Sequence, residues 1–127
     1  MEPDEITRII REASGFADLG MHPEAWELIE TLPPGSRFDQ RAVAVRLMVC
    51  TGLKKWEMGL ELCNFARDSR EMVMRKTAGQ FFLAYAESLC GASDPDTARA
   101  FVIELARVWP EGRELVLASK ALRKLWE

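Results

Sequence analysis

His22 is the one histidine of the chain, and Cys50, Cys63 and Cys90 are its three cysteines. These side chains suit nucleophilic or metal chemistry best, yet their spacing serves neither. The cysteines are odd in number, widely separated and without a CxxC pair. Each stands in an apolar helical context, where a reduced thiol behaves as a small hydrophobe. His22 adjoins Pro23 at a helix start, has no nucleophile near it in sequence, and is expected exposed in a turn. The Walker-type phosphate loop, the HExxH zinc helix and the GxSxG nucleophile elbow are all absent. No catalytic, metal or cofactor residue is therefore assigned. The chemistry left is recognition, for which Trp26, Trp56, Trp109 and Trp126 are candidate anchors. Packing within the fold is the competing use for most of them, and Trp126 could instead join a dimer contact.

The elements that position these residues read as helices throughout, with no strand. The first spans about 3–18, with Asp4 and Glu5 at the positive end of its dipole. Pro23 fits the first position of a second helix over about 23–31, which Pro33-Pro34-Gly35 stops. A third covers about 38–51 and ends at Gly52, and a fourth covers about 54–68. Asp68 and Glu71 stand at capping-box spacing, so a fifth starts near Ser69 and runs to about Cys90. Asp94-Pro95 opens a sixth that ends before Pro110. A seventh, over about 111–126, carries Leu115, Ala118, Ser119, Leu122, Leu125 and Trp126 as one stripe.

A repeat organises these helices. Ala25, Ile29 and Leu32 are echoed by Gly59, Cys63 and Ala66, then by Ala98, Val102 and Leu105. The first shift is 34 residues at all three positions and the second is 39. The small residue lets two helices cross closely, and the apolar residues after it fill the seam. Glycine in a helix interior costs about 1 kcal/mol relative to alanine, so Gly59 suggests either tight packing or a nearby bulky group, for which Trp56 is the candidate.

On these residues the chain resembles the tetratricopeptide repeats, whose period is about 34 residues with two helices per unit. The third unit matches best: Phe82, Tyr85, Ala86 and Leu89 precede Ala98, Val102, Leu105 and Pro110 at the family's spacings. The first offers Ile9, Ala13, Phe16, Ala25, Ile29 and Leu32, with Glu12 breaking the pattern; the second needs extra turn residues. The resemblance covers about residues 6–110 and implies a single domain over 1–127. Its fold would be an all-α, right-handed superhelix of three hairpins (about 4–32, 38–68 and 69–109), closed by a capping helix over about 111–126. It also implies a peptide or partner protein held along a concave groove.

The faces left after the core stripe give the groove. Val43, Leu47 and Cys50 form the stripe of the third helix, leaving Asp39, Ala42, Arg46 and Val49 on another face. The matching faces are Thr7, Ile10, Ser14 and Ala17, then Gln80, Leu83, Glu87 and Cys90. Arg113, Val116, Lys120 and Arg123 nearly repeat them, and Lys120 and Arg123 make that end basic. The expected groove is thus Thr7, Ile10, Ser14, Asp39, Ala42, Arg46, Val49, Gln80, Leu83, Glu87, Lys120 and Arg123, with Arg46 and Glu87 pairing across it. The Lys, Asn and Arg set of the family's carboxylate clamp is missing.

Composition agrees with a folded interaction module. The 127 residues are 48% hydrophobic and 29% charged, and the net charge is −3. Residues 1–30 carry eight acids and two bases, residues 37–76 nine bases and five acids. This swing is read as solvated helix faces. Lys and Arg do not cluster with aromatics, so nucleic acid is not expected. Neither a targeting segment nor a membrane span is legible, so a cytoplasmic monomer or weak homodimer is expected, without cofactor. The leading expectation is a non-catalytic module that binds a protein or peptide. A small chaperone or assembly factor for one client is the alternative, and an enzyme with an unrecognised site is the third reading.

Overall fold

The computed structural model describes residues 1–126, the Trp126 side chain excepted. The described residues form eight α-helices and no strand. These are α1 (Pro3–Asp18), α2 (His22–Ile29), α3 (Gln40–Leu53), α4 (Trp56–Ala66), α5 (Met72–Gly91), α6 (Pro95–Val108), α7 (Arg113–Ala118) and α8 (Arg123–Trp126). Short 3₁₀ turns lie at Pro34–Phe38 and Pro110–Gly112. The all-α expectation holds. No helix of the described residues is long and apolar enough to cross a membrane.

Local chemistry explains the starts of three helices. Pro3 opens α1, with Asp4 and Glu5 in its first turn. The Asp39 carboxylate accepts from the Arg41 N–H at 2.9 Å and caps α3. Asp94 caps α6 by accepting from the Thr97 N–H at 3.4 Å, and Pro95 follows it.

Contacts divide the chain into two compact units, one of Met1–Ala66 and one beginning at Arg67. In the first, α3 packs against α1, α2 and α4. Its core gathers Ile9, Ile10, Ala13, Ala17, Ala25, Ile29, Leu32, Ala42, Val45 and Val49. In the second, α5 lies along α6, and α6 meets α7 and α8. Phe81 and Phe82 are fully buried there, and Phe82 stacks on Phe101 with centroids 5.7 Å apart. Trp109, 8% exposed, closes this core against two glycines. A Cβ at Gly79 would stand 2.7 Å from the indole, and one at Gly112 would collide with the same ring.

All nine repeat positions, from Ala25 to Leu105, are buried. Ala98 is fully buried on α6, so Ala98→Leu is expected to overpack its site and destabilise by about 1–3 kcal/mol. An unchanged urea midpoint would refute close packing there.

Several boundaries shift by about two residues from the sequence reading, α4 at both its ends, and three differences have a visible context. Gly52 does not end α3; it lies inside the helix, and the His22 ring packs where a Cβ would be, so the position needs a glycine. The chain leaves α3 at Lys54, whose φ of 58° is left-handed. Next, α5 starts at Met72 rather than near Ser69. The Ser69 hydroxyl accepts from the Glu71 N–H at 3.1 Å, and this local turn competes with the helix. Third, the expected helix over 111–126 is broken. Ser119 is extended (φ −83°, ψ 122°), and its hydroxyl accepts from the Leu122 N–H at 3.4 Å. Val116 and Leu122 are both fully buried. Six residues apart, they would diverge by about 240° on a straight helix, and the break lets both reach the core. Leu115, at 45% exposure, lies outside the core, so the proposed single stripe does not form. The Trp126 side chain of that stripe, and the dimer contact considered for it, fall outside the described residues.

Candidate binding surface

In the first unit the expected groove is largely core. Ile10 is 5% exposed, and Ala42 and Val49 are fully buried, so none of them offers a side chain to a peptide. For Ala42 and Val49 the cause is the position of α3 among three other helices, which covers it nearly all round; Ile10, on α1, belongs to the same core cluster. Thr7 and Ser14 are half-buried, and Thr7 accepts from an Arg41 guanidinium at 3.1 Å. Asp39 is occupied as the α3 cap, and the Arg41 guanidinium, with the Arg41 N–H, holds its carboxyl below the usual carboxylate range.

Arg46 is a structural residue. Its side chain is 12% exposed, and its Nε lies 4.0 Å from Glu30. It donates to the Arg37 carbonyl at 3.3 Å and stands over the Trp26 ring at 6.0 Å. Lys55 approaches the same ring at 4.8 Å. Arg37 pairs with Glu30 at 3.5 Å and donates to the carbonyls of Glu30 and Leu32, so it closes the open end of α2. The counter-charge read for Arg46 was Glu87; the acid it meets is Glu30, in its own unit. Trp26 is thereby a packing residue between two cations.

His22 is also a correction. It is half-buried on α2 with its ring against Gly52, and its Nδ1 is enclosed without a hydrogen-bond partner. Cys50 and Cys63 are buried, and Cys90 is half-buried. Burial pushes the Cys50 thiol up to about 11, which keeps it neutral and unreactive near neutral pH. Among the described residues, no group of three or more His, Cys, Asp or Glu is placed to hold a metal ion.

The second-unit members of the expected groove stay accessible. Gln80 and Glu87 are exposed on α5 with Leu83 half-buried between them, and Lys120 and Arg123 are exposed around the α7–α8 break.

One further surface feature was not foreseen. Phe38 and Phe65 put their rings 5.4 Å apart at a 49° tilt, although they are 58% and 55% exposed. They stand at the end of the 3₁₀ turn after Pro34 and in the last turn of α4.

No family model, curated protein or solved structure matches the chain.

The aromatic pair carried only a weak signal in sequence. Phe38 follows a Pro-Pro-Gly stop, and Phe65 falls between the buried Cys63 and Ala66. Neither belongs to a repeat position, and a large aromatic outside the core stripe is the feature that marks such a residue.

Proposed function

We propose that the chain is a non-catalytic protein-interaction module of tetratricopeptide-like helical hairpins, which docks a peptide or partner protein. The burial of all nine repeat positions supports the hairpin reading. The observation that carries the function is the Phe38–Phe65 pair. Two rings that touch each other yet remain more than half exposed leave apolar surface in water, where burial is worth about 25 cal/mol per Å². A partner that covers them recovers that energy, and aromatic side chains are common anchors of such contacts. Gln80, Leu83, Glu87, Lys120 and Arg123 remain proposed groove residues of the second unit.

The test replaces both rings. Phe38→Ser/Phe65→Ser should change unfolding stability by less than about 1 kcal/mol, because neither ring is core. Cross-linking in cells of the source organism should lose the partner captured by the native chain. A variant that keeps the same cross-links would remove the pair from the interaction.

A further inference from the structure

The start of α5, the end of α6 and Pro110–Glu111 enclose an open cleft of about 430 Å³. Its walls carry Arg67, Arg75 and Arg107, and Met72, Val108, Trp109 and Pro110 supply apolar surface. All of these lie in the second unit, whereas the aromatic pair belongs to the first.

Glu104 organises two of the three guanidinium groups. It lies 2.6 Å from Arg107 and 3.3 Å from Arg67. A guanidinium has five N–H donors, so a single carboxylate shared by two of them leaves donors free for a ligand. Arg67 also leans over the Phe82 ring at 5.5 Å, which fixes its plane, and its Nε is enclosed without an acceptor. Arg75, on the first turns of α5, is half-buried at the cleft. The α5 N-terminus opens at the same cleft: its N-cap is Glu71, whose side chain makes no capping bond, and its first turn carries no acid. Lys76 stands 6.0 Å from the Trp109 ring and brings a further cation.

The opposing charges are Glu104, already shared by Arg67 and Arg107, and Asp68 and Glu111 on the cleft walls. Asp68 is 76% exposed and reaches Arg107 only at 3.6 Å. It is a loosely held carboxylate at the rim, in the place an incoming one would take. Met72, 53% exposed, and exposed Pro110 flank that place with apolar surface.

We infer that this cleft binds an acidic peptide segment of a partner, with a carboxylate side chain against Arg75 and Arg107 and an apolar neighbour on Met72. Asp68 competes with the ligand carboxylate for Arg107 and so weakens binding. The charges and the apolar rim are complementary to such a segment, and the open form of the cleft admits an extended chain.

The probe is a fluorescein-labelled peptide with a Leu-Glu-Glu-Leu centre, titrated with the full chain and read by anisotropy. The same peptide with Gln-Gln at its centre is the control. The acidic peptide should bind at least about tenfold more tightly at low ionic strength. Arg75 makes no ion pair among the described residues, so Arg75→Gln should fold normally and bring the acidic peptide down to the level of the control. Asp68→Asn should tighten binding severalfold. Arg99→Gln, an exposed arginine elsewhere on α6, should leave it unchanged. Equal binding of the two peptides would overturn the inference. So would an equal loss in Arg75→Gln and Arg99→Gln, which would signal general charge attraction. Displacement of the peptide by oligothymidylate at matched charge would point to a phosphate backbone and overturn it as well.

Discussion

Trp109→Ala is expected to destabilise the protein by about 3–5 kcal/mol, the range for a large aromatic removed from a core. The indole is 8% exposed and fills space that Gly79 and Gly112 leave for it. The complementary change is Gly79→Ala, whose Cβ would stand 2.7 Å from the ring and force a shift. In a Trp109→Ala background that collision is gone, so the added methyl should cost less than in the native chain. The double-mutant cycle from urea unfolding should show coupling of about 1 kcal/mol or more between the two positions. Strict additivity would mean that the ring and the glycine do not press on each other.

Glu30→Ala should cost about 1–3 kcal/mol, between the values for an exposed and a buried pair, because it removes the counter-charge of Arg46, which is 12% exposed. The guanidinium keeps the Arg37 carbonyl and the Trp26 face, but loses the carboxylate 4.0 Å away. Arg37 loses its partner at 3.5 Å in the same step. Glu30 is itself about a third exposed, which holds the effect below that of a fully buried pair. Replacing both members, as in Glu30→Leu/Arg46→Met, should recover most of the loss, since an apolar pair needs no counter-charge. Urea midpoints decide it: a Glu30→Ala variant within about 0.5 kcal/mol of the native chain would show the pair to be screened by water.

The helices and their seams could be read from sequence because they depend on local rules. Period, proline placement and capping residues located α1, α2 and α6 to within two residues at each end, and the small-apolar-apolar triads marked positions that are all buried. The misreadings arose where a distant side chain decides. Gly52 looks like a helix stop until the His22 ring occupies the space beside it. Ala42, Val49 and Ile10 look like groove rungs if each helix is assumed to have one buried face. The run from Ala42 to Cys50 has Arg46 as its one charged residue, and that is the signature of a helix enclosed by neighbours. The Phe38–Phe65 contact and the cleft arginines join residues far apart in the chain, and no periodicity points to either.

The enclosure of α3 has a consequence in time. A helix with neighbours on almost every side cannot release its amide hydrogens by fraying outward. They become accessible to solvent deuterium only when the first unit opens as a whole, whereas the four-residue α8 opens by local motions. The middle of α3, from Val43 to Val49, should therefore set the slowest exchange of that unit and report its global opening free energy directly.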